Sequence, residues 1–168
     1  MQENDYPLSA VEEILEKQFG KINTNEAYYA WAKKATNLSE EEIKAIVDDI
    51  ITNIYDMRAY DIFDHLPKIK LAIASNHLST INTRIDNMEL REKFDCIIIS
   101  ADIGIEKPNK EFYEKLITEL EEKPEDILFV DDDKENIEAA KKLGFSVLHY
   151  YDHSKSLTQK ILNKLKQL

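Results

Sequence analysis

Ile127-Leu128-Phe129-Val130-Asp131-Asp132-Asp133-Lys134-Glu135-Asn136 is the stretch whose reading decides the fold. Four apolar residues in succession, too few for a helix and ending abruptly in carboxylates, read as a short buried strand, Ile127 to Val130. A helix follows near 134 to 143, and Gly144 stands where it should stop. Strand, acidic turn and amphipathic helix together form the repeating unit of a parallel sheet with crossover helices.

Working outward, the same alternation recurs from about residue 66 to the end. Ile69 to Ala74, Cys96 to Ile99 and Ser146 to Tyr150 read as further strands, with helices near 77 to 92 and 110 to 121. The last segment, Ser154 to Leu168, puts Leu157, Ile161, Leu165 and Leu168 on one face and reads as a helix packed on the sheet. Before residue 66 the pattern is helical only. Val11, Ile14, Leu15 and Phe19 recur at helical spacing up to Gly20, and Tyr28, Tyr29 and Trp31 follow at a spacing that suits core packing or a pocket wall. Ser39 and Glu42 form a capping box for a helix whose stripe is Ile43, Ile46, Val47, Ile50, Ile51 and Ile54. The expected organisation is a helical, cap-like region at 1 to 65 and an α/β core at 66 to 168.

Composition narrows the function. Asp and Glu outnumber Lys and Arg 33 to 22, giving a net charge of -11 that repels a phosphodiester backbone, so nucleic acid is not expected as a partner. The same charge attracts a divalent cation wherever carboxylates converge. No apolar run reaches the roughly 20 residues of a membrane span, and the acidic start Met1-Gln2-Glu3-Asn4-Asp5 does not resemble a leader, so the cytoplasm is the expected location. The single cysteine, Cys96, sits in an apolar run and reads as core.

In an open parallel sheet ligands gather beyond the carboxyl ends of the strands, and those positions are markedly polar here. The first strand runs into Ser75-Asn76-His77. The second runs into Ser100-Ala101-Asp102, with Glu106-Lys107-Pro108 a few residues on. The third runs into Asp131-Asp132-Asp133, with Asn136 one helical turn later.

With Leu71-Ala-Ile-Ala-Ser-Asn76, Glu106-Lys107-Pro108 and Phe129-Val-Asp-Asp-Asp-Lys-Glu-Asn136 in this order, each at a strand end, the chain resembles the haloacid dehalogenase superfamily, in its helical-cap branch. The resemblance implies an α/β, Rossmann-like fold and phosphatase chemistry on a small phosphorylated metabolite, with Mg2+ as cofactor. It implies that Ser75, Asn76 and Lys107 receive the phosphate, Ser75 and Lys107 in catalytic roles. Asp131, Asp132 and Asn136 then form the metal side, Asp132 foremost. Ser75 remains readable as a helix cap, Asp133 reads as the N-cap of the next helix, and Asn136 either completes that cap or reaches the site. His77 reads as a solvated loop residue.

One family element is not found where it belongs. The superfamily's first motif is an apolar strand ending in Asp-x-Asp, whose first aspartate attacks phosphorus, and it precedes the cap; residues 1 to 8 contain neither. The expectation is a parallel sheet missing its central first strand, and a chain inactive or impaired as it stands. The strands on either side of the gap would pair directly, or the slot would be filled by a segment of this chain or of a second copy in a homo-oligomer, or by a partner chain. Two functional readings stay open: a phosphomonoester hydrolase completed by further chain, or a non-catalytic derivative that binds phosphate, metal or protein.

Overall fold

The computed structural model describes residues 2–3, 7–22, 24–56, 60–152 and 156–167. The architecture is α/β. Among the described residues fourteen elements run in chain order: β1 (Gln2–Glu3), α1 (Ala10–Glu16), α2 (Asn25–Thr36), α3 (Glu40–Ile54), β2 (Tyr55–Asp56), β3 (Ala72–Ser75), α4 (Ile81–Asn87), β4 (Cys96–Ile99), α5 (Ser100–Ile103), α6 (Lys110–Leu120), β5 (Leu128–Asp131), α7 (Lys134–Lys142), β6 (Ser146–His149) and α8 (Leu157–Leu165). Short 3-10 turns at Tyr60–Asp64, Arg91–Lys93 and Pro124–Asp126 link some of them.

The chain divides into two compact units, Met1–Met57 with Ala72–Glu106, and Arg58–Leu71 with Lys107–Leu168. In the first, α3 carries the stripe expected of it: Ile43, Val47, Ile50 and Ile51 are buried. Its capping box is formed, Glu42 accepting from the Ser39 N–H at 2.8 Å while Ser39 Oγ accepts from the Glu42 N–H at 3.3 Å. Tyr28 and Tyr29 are core residues, and the Tyr28 hydroxyl donates to the Leu15 carbonyl at 3.0 Å. In α1 only part of the predicted stripe is covered: Leu15 is buried, whereas Val11 and Ile14 are exposed. β3 and β4 pair in parallel, from Ala72↔Cys96 to Ser75↔Ile99, and Cys96 is buried as expected.

The second unit pairs β5 with β6 in parallel, from Leu128↔Ser146 to Asp131↔His149. Its core is aromatic. Tyr113 of α6 meets Phe129 of β5 and Phe145 edge-on, with centroids 5.4 and 5.9 Å away. Thr158 of α8 donates to Asp61 at 2.9 Å, which ties the last helix to the 3-10 turn at Tyr60–Asp64.

Three readings need correction. Residues 1 to 65 are not helical throughout, because β1 and β2 form an antiparallel two-residue ribbon. The helix expected near 77 to 92 shrinks to Ile81–Asn87: Glu89 takes a positive φ, and the Leu90 N–H returns to the Ile85 carbonyl, which closes the helix. The first strand of the parallel sheet starts at Ala72 rather than Ile69. Ile69 is exposed, and the Lys70 ammonium is drawn to the Leu120 carbonyl at 2.6 Å and Glu122 at 3.0 Å at the end of α6. Among the described residues β3 is hydrogen-bonded to β4 and β5 to β6, each pair a two-stranded sheet of its own, so the parallel sheet is incomplete as expected. No helix among the described residues is long and apolar enough to cross a membrane.

Candidate functional site

The second unit gathers Lys107, Asp131 and Asn136. Lys107 Nζ lies 2.6 Å from Asp131 Oδ2 and 5.7 Å from the centre of the Phe129 ring. The other carboxylate oxygen accepts from the Asp133 N–H at 2.8 Å and from the Asn136 amide at 3.2 Å. Asp131 therefore sits at the centre of a charge-assisted network in a low-dielectric setting, where such bonds are strong. The Asn136 side-chain amide is thus turned towards Asp131 rather than towards the helix cap. The Asn136 backbone carbonyl in turn accepts from the Tyr113 hydroxyl at 3.0 Å. Burial, with Asp131 and Asp133 close by, pushes that phenol well above its ordinary range.

Asp133 caps α7, its side chain accepting from the Glu135 N–H at 2.7 Å. Asp132 is exposed, and among the described residues no hydrogen bond or ion pair engages its carboxylate; its backbone carbonyl lies 2.9 Å from His149 Nε2. The run Asp131-Asp132-Asp133 itself has the Asp-x-Asp form at a strand end. Both flanking carboxylates are nevertheless committed, one to Lys107 and Asn136, the other to the helix cap.

Asp131, Asp132 and Asn136 offer hard oxygen donors, the class that suits magnesium. Among the described residues no three His, Cys, Asp or Glu side chains converge as a cage. An exposed carboxylate such as that of Asp132 suits magnesium, which is ordinarily held by one or two carboxylates and completes its shell with water and phosphate oxygens.

Ser75 and Asn76 belong to the first unit. Ser75 is the last residue of β3 and not a helix cap, since Thr80 occupies the N-cap position of α4. His77 is the clearest departure from expectation. It is buried rather than solvated, 5% exposed, with its ring 5.1 Å from that of Phe19. Burial drops its pKa to about 4, against a small opposing effect from the Leu78 carbonyl, so the ring is neutral near pH 7. Ser100 Oγ accepts from the His77 N–H at 3.0 Å and lies 3.2 Å from the His77 carbonyl. Of the backbone N–H groups after Ser75, that of His77 is consequently spent inside the protein. Gly20 (φ +70°) faces the Asn76 carbonyl so closely that a Cβ there would stand 2.3 Å from its oxygen.

Several of these partners escaped the sequence. Ser100 follows an apolar strand as Ser75 does, which was its only signal, whereas Tyr113 and His149 carry none in a single sequence.

The family model of the haloacid dehalogenase-like hydrolases matches residues 9–150. The chain belongs to that family. Among curated relatives, a phosphorylated carbohydrates phosphatase of Thermotoga maritima is 27% identical over 143 residues, 76% of this chain and 66% of that protein. A sesquiterpene phosphatase of Aspergillus oryzae is 41% identical over 59 residues, 35% of this chain and 30% of that protein. The chain thus spans less than two thirds of the length of either relative. Solved structures share the fold. A predicted haloacid dehalogenase-like hydrolase of Porphyromonas gingivalis superposes with a TM-score of 0.72 at 21% identity, covering 92% of this chain and 80% of that one. A family enzyme of Bacteroides thetaiotaomicron in complex with magnesium and inorganic phosphate gives 0.67 at 16% identity, covering 86% and 78%.

Proposed function

We propose that this chain is the phosphate-binding framework of a phosphomonoester hydrolase acting on a small phosphorylated metabolite, impaired in turnover as a 168-residue polypeptide. Residues 1 to 65 serve as the cap and 66 to 168 as the core. Ser75, Asn76 and Lys107 receive the phosphoryl oxygens, with Ser75 and Lys107 in the catalytic supporting roles. Asp131, Asp132 and Asn136 take the metal side, Asp132 as the carboxylate ligand. Bound Mg2+ would neutralise phosphate charge, the contribution phosphoryl transfer most requires.

The buried Lys107–Asp131 pair carries this reading. An ammonium and a carboxylate withdrawn from water at a strand's carboxyl end lose solvation that packing alone would not demand, and a lysine held there is placed to meet an anion. The curated relatives, named as phosphatases of phosphorylated carbohydrates and of a sesquiterpene, support the ester class. The commitments of the aspartates at the end of β5 support the impaired part of the reading, since Asp131 is held by Lys107 and Asn136 and Asp133 by the helix cap.

The test joins turnover to binding. p-Nitrophenyl phosphate with Mg2+ should yield no phosphate above background, while inorganic phosphate should bind and lose about tenfold in affinity in Ser75→Ala and in Lys107→Met. Mg2+-dependent release by the homogeneous chain overturns the impaired reading, and absence of phosphate binding overturns the phosphate reading.

A further inference from the structure

We propose that Ser100 is a positioning residue of the phosphate cradle, holding the Asn76–His77 peptide through its hydroxyl; this rests on the phosphate-binding reading of Ser75 and Asn76. The β3–β4 ladder ends at Ser75↔Ile99. One residue later the backbones part, because Ser100 opens α5 while Asn76 and His77 enter a turn. The next N–H of the departing strand, that of His77, lies in a buried position where an unmet donor is costly.

Ser100 supplies the missing rung with its side chain. Its Oγ takes the His77 N–H at 3.0 Å and stands 3.2 Å from the His77 carbonyl, so one hydroxyl accepts and donates to the same residue. The Ala101 N–H reaches that carbonyl as well, at 3.2 Å. Ser100 is itself 2% exposed, which leaves its hydroxyl little other use. Gly20 stands close against the Asn76 carbonyl, and the Phe19 ring lies against the His77 ring. A segment held at several points keeps Ser75 and Asn76 in place at the strand end, and precise placement is what a phosphate site needs. Loss of the Ser100 hydroxyl removes the side-chain partner of the buried His77 N–H and so loosens this hold.

Titration of inorganic phosphate into the 15N-labelled chain, followed at the Ser75 to His77 amides, separates positioning from bulk stability. Ser100→Ala should weaken phosphate binding about tenfold in the folded protein and speed hydrogen exchange of the His77 amide by a similar factor, with Ile97 and Ile98 unchanged. Ser100→Thr, which keeps the hydroxyl, should restore both. Should Ser100→Ala fail to fold, Ser100→Cys, similar in size but a weak hydrogen-bonding partner, carries the same comparison. A folded Ser100→Ala that binds phosphate like the parent, while Ser75→Ala does not, overturns the role of Ser100 and leaves the phosphate reading intact. A parent chain that binds no phosphate overturns that reading, and this inference with it.

Discussion

Lys107 and Asp131 meet at 2.6 Å with side chains only 8% and 6% exposed, 24 residues apart in sequence. Removing one member of a buried pair strands the other charge in a low-dielectric environment, at a cost of about 3–5 kcal/mol. Lys107→Met and Asp131→Asn should each lower unfolding stability by an amount of that order. The double variant should lose clearly less than the sum, which a double-mutant cycle by urea denaturation reads directly. Additive losses would mean that the two groups do not stabilise one another.

His77 gives the protein an acid-side liability. Its folded pKa of about 4 lies below the ordinary 6.5, so between those values the unfolded chain binds a proton the folded chain refuses. Stability contributed by the neutral ring is complete above pH 6.5 and declines as pH falls towards 4, by about 3 kcal/mol in all. Chemical denaturation from pH 4.5 to 7.5 should show this slope, and His77→Leu should flatten it. An unchanged slope in that variant would assign the effect to other groups.

Gly20 and Gly104 form an internal comparison. Both have left-handed backbones, φ +70° and +68°, but a Cβ on Gly104 meets nothing within 4 Å whereas one on Gly20 meets the Asn76 carbonyl. Gly104→Ala should cost about 1 kcal/mol, the price of the backbone conformation alone. Gly20→Ala should cost appreciably more and shift the Asn76 amide resonance. Equal losses would show that the turn yields without disturbing Asn76.

The metal side is tested at Asp132 with Asp133 as its control. In the presence of phosphate, Asp132→Asn should weaken Mg2+ binding about tenfold by calorimetry, since it removes the charge of the proposed oxygen ligand. Asp133→Ala should lower stability by about 1 kcal/mol through loss of the α7 cap, with Mg2+ affinity little changed. The reverse pattern would exchange the two roles.

The sequence was most legible where local chemistry and burial agree. Cys96 to Ile99 and Ser146 onward appear as strands where the apolar runs place them, and Asp133 caps α7 because the three-aspartate run leaves a short side chain just ahead of a helix. Legibility failed where tertiary partners overrule the local pattern. Ile69 reads as the start of a strand, but Lys70 is drawn to the end of α6, and pairing begins only at Ala72. A histidine beside serine and asparagine reads as solvated, and nothing local announces that Phe19, nearly sixty positions earlier, will cover it. Asp131 was legible as a carboxylate at a strand end, while its hold on Lys107 and Asn136 arises only when strand, loop and helix converge.

Tyr113 packs edge-on against two phenylalanines and bonds through its hydroxyl to the backbone of Asn136, so its chirally immobilised ring is a built-in optical reporter. Ring bands in near-ultraviolet circular dichroism, compared between the parent and Tyr113→Phe, give a label-free signal of whether α6 still grips the carboxylate end of β5.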